Sequence, residues 1–300
     1  MGERMMTTRP VEPGSFQFVE VDGVRLRVRI RGVGQPLLLI MGLGGNIEMW
    51  DPFDRELEAS GIQTISFDAP GTGQSADLRL PLRMRGLAGM IEHLLDRLGY
   101  ERVDVLGVSF GGMLAQQLAY QAPARVRRLV LAATGGGSPG LGGVPGKPGA
   151  LIKLASPRRY RDADYFAAEA GRLYGGRASA VPGHHVSARL ANPPSSRGYL
   201  YQQWAILGWT MLPWLRTLHQ PTLVLAGDDD QLVPVVNGRI LAWLIPRARL
   251  EVVRGGGHLF LLEQTPSAAA LVGGFLHEAA HLDDGEPAVS ASGHGLEDAT

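Results

Sequence analysis

The fold is decided by residues 103–120, which read VDVLGVSFGGMLAQQLAY. The first residues form a mostly apolar run typical of a strand, whereas 113–120 have a helical pattern that ends before Pro123. Ser109 therefore lies on a strand-to-helix turn, between glycines that allow the two elements to approach closely. With 41 glycines in the chain, a Gly-x-Ser-x-Gly match alone is weak, and such a serine could simply cap the helix. The strand-turn-helix context instead predicts an exposed nucleophilic hydroxyl beside a helix N-terminus.

Outward from this turn, short apolar segments alternate with helical patterns, which is typical of βαβ units and a mostly parallel sheet. The pair Asp22-Gly23 is a two-residue turn signal and predicts an antiparallel hairpin at the sheet edge. Residues 84–98 carry leucine and isoleucine at helical spacing, and Gly99 predicts the C-cap of that helix. The predicted fold is of the α/β class, with helices on both faces of an eight-stranded sheet. The predicted strands are 16–21, 24–30, 37–41, 62–67, 103–107, 129–133, 222–226 and 250–253.

One interval breaks the alternation and divides the chain. Residues 135–216 lack a strong strand pattern and open with a Gly- and Pro-rich stretch. We therefore predict a helical cap, or lid, inserted between two parts of a hydrolase-type core, 16–134 and 217–281. The stretch that opens the cap could act as a hinge or be a plain surface loop. The ends, 1–15 and 282–300, have the composition of a flexible N-terminus and a disordered tail.

Composition excludes several classes of protein. Lys plus Arg equals Asp plus Glu at 29 each, so no basic field attracts nucleic acid or an anionic membrane. Cysteine is absent, which excludes disulfides, thiolate metal sites and a cysteine nucleophile. The chain has no apolar run suited to a bilayer and no secretory signal before the first strand. We therefore expect a cytoplasmic protein without a transmembrane segment and without a nucleic-acid partner.

A serine hydroxyl needs a base within hydrogen-bond reach and an acid that orients the base. Of the eight histidines, His258 alone follows a buried strand through a glycine run, which places it on a loop at the carboxyl edge of the sheet. Three consecutive carboxylates end the preceding strand, and we select the third, Asp230, with Asp229 as the next candidate. Ser109, Asp230 and His258 are thus the predicted catalytic residues. Ester hydrolysis by this set requires no metal and no cofactor.

The developing oxyanion needs two backbone N–H donors. We expect them from Phe110, the residue after the nucleophile, and from Leu43 in the glycine-rich loop after the third strand. Gly42 in that loop and Leu259 beside the predicted base are expected to contact substrate. A phosphate-binding loop is excluded because no lysine followed by Ser or Thr stands at the required spacing, and the dinucleotide fingerprint is incomplete.

Residues 199–215, within the predicted cap, are apolar and carry no charge. Trp204, Trp209 and Trp214 are each five residues apart, so they do not share one face of a helix. Packing of the cap onto the core explains such a segment. The functional hypothesis is that these tryptophans bind substrate, either by lining an acyl tunnel or by forming a contact patch for a hydrophobic polymer surface.

Several motifs resemble a known family. Residues 68–75, DAPGTGQS, are similar to the Asp-x-x-Gly-x-Gly-x-Ser loop of α/β-hydrolases, whose triads also follow the order serine, acid, histidine. More specific segments are VPGKP at 144–148, ASPRRY at 155–160, YGG at 174–176, GWT at 208–210 and QPTLVLAGDDD at 220–230. Together they resemble the intracellular medium-chain poly(3-hydroxyalkanoate) depolymerases, and this resemblance runs from 18 to 276. Two residues depart from the family patterns: Met41 stands where many hydrolases have the histidine of a His-Gly motif, and Phe110 stands where the depolymerases have tryptophan.

The resemblance implies an α/β-hydrolase fold and a serine esterase that cleaves polyester through an acyl-enzyme. The implied products are 3-hydroxyacids or oligomers, and the implied partner is a hydrophobic ester or polyester, with the surface of a cytoplasmic polymer granule as the place of action. The two departures from the family pattern can change substrate preference. Two alternatives stay open. One is a carboxylesterase, lipase or lactonase acting on small or lipid esters, and the other is a non-catalytic binding protein on the same fold.

Overall fold

The computed structural model describes residues 14–176 and 183–278 of the chain. The predicted flexible N-terminus lies outside these residues up to position 13, and the predicted tail, 282–300, lies wholly outside them. Within the described ranges, no helix combines the length and the hydropathy that crossing a bilayer would need.

The sheet consists of eight strands: β1 (Phe16–Val21), β2 (Val24–Arg31), β3 (Gln35–Ile40), β4 (Ile62–Phe67), β5 (Val103–Val108), β6 (Val126–Ala132), β7 (Thr222–Gly227) and β8 (Ala248–Val253). Their order across the sheet is β1-β2-β4-β3-β5-β6-β7-β8. The first two strands form the antiparallel edge hairpin, where Asp22 and Gly23 both have positive φ, and β2 is also antiparallel to β4. All other neighbours are parallel. The predicted eight-stranded, mostly parallel sheet is confirmed.

Helices cover both faces of this sheet: α1 (Asp51–Ala59), α2 (Met84–Leu98), α3 (Phe110–Gln121), α4 (Pro148–Leu154), α5 (Ala163–Tyr174), α6 (Gly183–Ala191), α7 (Ser196–Ile206), α8 (Val235–Leu244), α9 (Phe260–Glu263) and α10 (Thr265–His277). Alternate side chains of a strand point to opposite faces. In β3, Leu38 and Ile40 pack with α2 and α3, whereas Leu37 and Leu39 pack with α1 and α10. The predicted helix 84–98 is confirmed as α2, and Gly99 caps it with a left-handed φ of 79°.

Three strands, β3, β6 and β8, begin earlier than predicted. The largest difference is in β6, whose charged side chains have partners elsewhere in the chain. β6 begins at residue 126 instead of 129 and includes Arg127 and Arg128. Arg127 pairs with Asp104 of β5 at 2.5 Å. Arg128 is fully buried and donates to the carbonyl of Phe275 at 2.9 Å. Two adjacent arginines in a sequence are typical of an exposed loop. Here their partners compensate the buried positive charge, so the strand can include both residues.

Between β6 and β7 the chain leaves the sheet. The described residues of 135–216, called the cap segment below, form α4 to α7 and add no strand to the sheet. Its glycine-rich opening is packed against the core: Asn237 of α8 accepts a hydrogen bond from the N–H of Val144 at 2.8 Å and donates to its carbonyl at 2.9 Å. These bonds favour a packed loop over a hinge. The division into core and cap domains stays a prediction.

A buried carboxylate orders the loop between β4 and α2. Asp68 accepts hydrogen bonds from the N–H groups of Ile47 at 2.8 Å and Gln74 at 3.0 Å, and Arg27 lies 3.3 Å away. Burial outweighs these contacts and raises the pKa of Asp68 to about 6. Gly73 has a φ of 53°, and a Cβ there would lie 2.0 Å from the Asp68 carboxylate. The Asp-x-x-Gly-x-Gly-x-Ser motif therefore has a structural role in holding this loop.

Candidate active site

Ser109 occupies the turn between β5 and α3, as predicted. Its φ of 55° is unusual for a residue with a side chain, and such conformations cost about 1–3 kcal/mol. The adjacent glycines make the turn possible, since a Cβ on Gly107 would lie 2.2 Å from the Gly111 carbonyl oxygen, and one on Gly111 would lie 2.0 Å from that of Ile40. The Thr134 hydroxyl donates to the Ser109 carbonyl at 2.8 Å. The serine is thereby held at the carboxyl edge of the sheet, next to the first turn of α3.

Three side chains form a hydrogen-bonded relay at this edge. His258 Nε2 lies 2.9 Å from Ser109 Oγ, and His258 Nδ1 lies 2.7 Å from Asp230 Oδ2. Asp230 and His258 are buried, with 7% and 6% of their surfaces exposed. The structure thus brings together the three residues that the sequence predicted as nucleophile, base and acid. The distances meet the requirement for general-base activation of a hydroxyl.

The three consecutive carboxylates after β7 have different partners. One oxygen of Asp230 accepts two backbone N–H bonds, both at 2.8 Å, which leaves the other oxygen for the imidazole. Asp229 accepts instead from the N–H of Gly176 at 2.7 Å, and Asp228 accepts from the N–H of Gly255 at 2.7 Å. Asp229 and Asp228 therefore hold loops, and Asp230 is the carboxylate that contacts the histidine.

A cap residue that the sequence reasoning missed orients the imidazole. Tyr174, the last residue of α5, stacks on His258 with ring centroids 6.1 Å apart and ring planes 9° from parallel. Its carbonyl also accepts the backbone N–H of His258 at 2.7 Å. In the sequence, the segment that begins with Tyr174 carries only a resemblance to a family motif, and nothing pairs it with a histidine so far along the chain. The cap segment therefore contributes directly to the geometry of the relay.

The glycine loop after β3 is also held by the cap segment. The Leu43 carbonyl accepts hydrogen bonds from Tyr160 Oη at 2.7 Å and from Arg159 Nη2 at 3.2 Å. Gln202 Oε1 accepts from the N–H of Gly44 at 2.8 Å. A Cβ on Gly44, whose φ is 77°, would lie 2.9 Å from the Tyr160 ring. The position of this loop therefore depends on cap side chains that the sequence reasoning had not selected.

The relay opens into a narrow and mainly apolar cavity of about 50 Å³, which is room for only a few water molecules. Gly42, Leu43 and Leu259, which the sequence analysis selected, line this cavity, and so does Met41. Phe110 is buried beside a separate apolar cavity under α7. The departure at Met41 thus makes the wall near the serine less polar. Among the described residues, no group of three His, Asp or Glu side chains could hold a metal ion.

The three tryptophans of the cap segment do not line this cavity, so the cavity gives no support to the acyl-tunnel hypothesis, which stays a prediction. Trp209 is buried and donates its indole N–H to Gln117 at 2.9 Å, which is a packing role. Trp204 and Trp214 lie at the surface, 47% and 41% exposed, and Trp214 packs on Tyr120 with ring centroids 5.9 Å apart. Because α7 ends before Trp209, no single helix carries all three. The contact-patch alternative stays a prediction for the exposed tryptophans.

The fold and the relay are those of a known family. Residues 35–265 match the family described as the α/β-hydrolase fold. The chain therefore belongs to the α/β-hydrolase family and is a hydrolase.

Its similarity to individual proteins is more specific. The chain is 42% identical over 278 residues to the poly(3-hydroxyalkanoate) depolymerase of Ectopseudomonas oleovorans, covering 89% of this chain and 94% of that protein. It is 33% identical over 269 residues to the 2-hydroxymuconate semialdehyde hydrolase of Pseudomonas sp. strain CF600, covering 86% and 92%. Among solved structures, a hydrolase from Pseudomonas aeruginosa has a TM-score of 0.73 at 26% identity, covering 89% of this chain and 100% of that one. The predicted fold and the resemblance to depolymerases are confirmed.

Proposed function

We propose that this protein is a serine esterase that hydrolyses the ester bonds of poly(3-hydroxyalkanoate) on granules in the cytoplasm. The nucleophile is Ser109, the general base is His258, and the acid that orients the base is Asp230. The observation that carries the proposal is the relay, with distances of 2.9 Å and 2.7 Å, in a chain 42% identical to a poly(3-hydroxyalkanoate) depolymerase.

Acylation is the first half of the proposed reaction. His258 Nε2 takes the hydroxyl proton as Ser109 Oγ attacks the carbonyl carbon of the ester. The charge that develops on the carbonyl oxygen is stabilised by the N–H groups of Leu43 and Phe110 and by the N-terminus of α3. The bond to the alcohol then breaks, His258 gives its proton to the leaving oxygen, and the acyl group stays on the serine. Gly42 lies next to Leu43 in this loop and lines the cavity beside Ser109, where it contacts the substrate.

Deacylation repeats these steps with water. His258 takes a proton from a water molecule, whose oxygen adds to the acyl carbon, and the proton returns to Ser109 Oγ as the acyl bond breaks. The product is a 3-hydroxyacid or a shorter oligomer with a new carboxylate. Throughout, Asp230 accepts a hydrogen bond from the Nδ1–H of the imidazole and so keeps Nε2 free to act as the base. Leu259, next to the base, contacts the substrate.

The proposal is tested by measuring the activity of the protein on two substrates, an emulsified medium-chain polyester and a soluble 4-nitrophenyl ester. We expect the wild-type chain to clear the emulsion and to release 3-hydroxyacids. Hydrolysis of the soluble ester without any clearing would contradict the polyester assignment. It would favour a carboxylesterase or lactonase that acts on small esters, a second candidate supported by the narrow cavity of about 50 Å³ and by the 33% identity to 2-hydroxymuconate semialdehyde hydrolase.

The contacts of the glycine loop lead to a prediction for Tyr160. Replacing Tyr160 by phenylalanine removes the hydroxyl that holds the Leu43 carbonyl and keeps the ring. Because the oxyanion donor then loses part of its preorganisation, kcat for a soluble ester is expected to fall about tenfold, with little change in KM. The measurement is steady-state kinetics of both variants at saturating and limiting ester. The matched control is Tyr165→Phe on the half-buried face of α5. A raised KM with an unchanged kcat in Tyr160→Phe would mean that the Tyr160 hydroxyl does not position the loop in this way.

An exposed apolar patch supports contact with a polymer surface. Trp204, Leu200 and Leu207 are 47%, 60% and 60% exposed and share this patch with Pro81. The guanidinium of Arg83 lies 5.1 Å from the Trp204 ring and holds the indole at the surface. Large apolar side chains clustered in this way are typical of contact surfaces. We therefore place the proposed granule contact on this face of the cap segment.

The patch predicts the effect of Trp204→Ala on binding to polyester particles. The measurement uses a Ser109→Ala background, which prevents degradation of the particles. In this background, Trp204→Ala is expected to partition onto the particles about tenfold more weakly, because a large apolar side chain is lost. Sedimentation of the particles measures the fraction bound. The control is Trp243→Ala on α8, since Trp243 is 74% exposed and lies outside the patch. Equal partitioning of both variants would rule out the patch as the contact.

A further inference from the structure

We propose that the cavity beside the relay contains a binding site for a carboxylate, in which Arg189 of the cap segment is the anion-binding residue. The choice of ligand rests on the proposed function, because a polyester chain end and a released 3-hydroxyacid both carry a carboxylate. The site would recognise the free acid end of the substrate or product in addition to the ester bond that is cleaved.

The first observation is the burial of positive charge without a counter-ion. Arg159 and Arg189 line the cavity and are each 2% exposed. Within the residues that the structure describes, neither forms an ion pair with a carboxylate. By contrast, the buried Arg27 and Arg29 of β2 pair with acidic side chains. Burial of an unpaired cation is costly, and an anion that enters the cavity would offset that cost.

The two guanidinium groups differ in the hydrogen bonds that they donate to protein acceptors. Arg159 donates to Tyr199 Oη at 2.6 Å and to the Leu43 carbonyl at 3.2 Å, so it is held in the loop contact. Arg189 Nη1 has a long bond of 3.3 Å to Tyr174 Oη. Among the described residues, the buried Nε of both arginines has no hydrogen-bond partner. Arg189 therefore has unused donors, and the planar guanidinium matches a carboxylate geometrically.

Aromatic rings surround Arg189 on the sides that face the protein. Its guanidinium carbon lies 4.7 Å, 4.8 Å and 5.7 Å from the ring centroids of Tyr160, Phe166 and Tyr174. Cation–π contacts stabilise a buried guanidinium only in part, and an aromatic ring does not replace a hydrogen-bond acceptor for its N–H groups. The rings thus fix the orientation of Arg189 without replacing a hydrogen-bonding anion.

Tyr174 connects this site to the relay. Its hydroxyl accepts from Arg189, and its ring stacks on His258 with centroids 6.1 Å apart. A carboxylate on Arg189 and an ester carbonyl at Ser109 would therefore lie on either side of one tyrosine, in the same narrow cavity. The proposal therefore predicts that the enzyme shortens chains from their free acid end.

Calorimetry with a pair of ligands of nearly equal shape tests the site. The full-length Ser109→Ala chain is titrated with hexanoate and with hexanamide, and hexanoate is expected to bind at least about tenfold more tightly. Arg189→Gln in the same background is expected to abolish the difference. Arg172→Gln on α5, whose side chain is 78% exposed, is the matched control and should retain it. Equal affinities for hexanoate and hexanamide in Ser109→Ala would overturn the proposal.

A second measurement needs no change at Arg189. Inhibition of the wild-type chain by the same two compounds is measured with a neutral soluble ester as substrate, and hexanoate is expected to inhibit at about tenfold lower concentration. If the chain degrades polyester but hexanamide inhibits equally well, the carboxylate site is wrong and the polyester function stands. If hexanoate inhibits preferentially but polyester is not degraded, the site stands and the polyester function is wrong.

Discussion

Replacing Ser109 by alanine is expected to lower kcat for a soluble ester by at least about 10⁴-fold, because the oxygen that forms the acyl-enzyme is removed. The residual rate would come from substrate binding and the oxyanion donors alone. Initial rates over a long time course measure the loss, and mass spectrometry after treatment with an organophosphonate measures it independently. One phosphonate group is expected on the wild-type chain at Ser109 and none on the variant.

The control for this prediction is Ser60→Ala, which removes an exposed hydroxyl that donates to the Glu56 carbonyl at 3.0 Å. Its rate and labelling are expected to equal those of the wild-type chain. Far-UV circular dichroism and Tm should be nearly unchanged in Ser109→Ala, since alanine meets the same backbone requirement at a φ of 55° as serine does. Undiminished turnover by a folded Ser109→Ala chain would refute the assignment of the nucleophile.

Replacing Asp230 by asparagine is expected to lower kcat by about 10³- to 10⁴-fold. The side chain keeps its shape, but an amide in this position can turn its NH₂ towards Nδ1 and so favour the wrong tautomer, with the proton on Nε2. The histidine then cannot accept the hydroxyl proton. The measurement is kcat and KM for a soluble ester, and the loss is expected in kcat because the acid acts on the base and not on the bound substrate.

The neighbouring carboxylate is the matched control for Asp230. Asp229→Asn makes the same chemical change one residue earlier, where the carboxylate holds the N–H of Gly176 at 2.7 Å. Its kcat is expected to stay within about threefold of the wild-type value, because it has no contact with the imidazole. Equal losses in Asp229→Asn and Asp230→Asn would show that the relay is not the one proposed. Together, the two variants test a choice for which the sequence allowed two candidates.

The comparison of Asp229 with Asp230 illustrates how far local patterns reach. Strand, glycine turn and helix follow each other directly around Ser109, so the elbow could be predicted from the sequence. His258 and the acidic run each follow a buried strand, and carboxyl ends of parallel strands meet at one edge of the sheet. The sequence pattern does not predict the direction in which each of the three carboxylates points. Asp229 and Asp228 are oriented by hydrogen bonds from Gly176 and Gly255, which belong to other segments. Asp230 is oriented by two nearby backbone N–H groups and by His258, which lies in another segment.

In the cap segment, local sequence patterns did not predict which side chains contact the site. Its tryptophans stand out in the sequence, yet Trp209 packs against the core and none of the three lines the cavity. Other cap side chains act on the site, among them Tyr160 on the glycine loop and Tyr174 on the histidine. Hydrophobicity measures the tendency of a side chain to leave water, and it carries no information about which segment will cover it.

The sequence by itself therefore determined the sheet, its edge hairpin, the turn at Ser109 and a short set of candidates for base and acid. These features arise from backbone preferences and from periodicities of two and 3.6 residues, which are local. Only the tertiary structure decided which carboxylate faces His258, where the tryptophans lie and how Arg189 comes to be buried with no acidic partner in the described part of the chain. Those contacts join residues far apart in the chain, and their partners are chosen by packing and by compensation of buried charge.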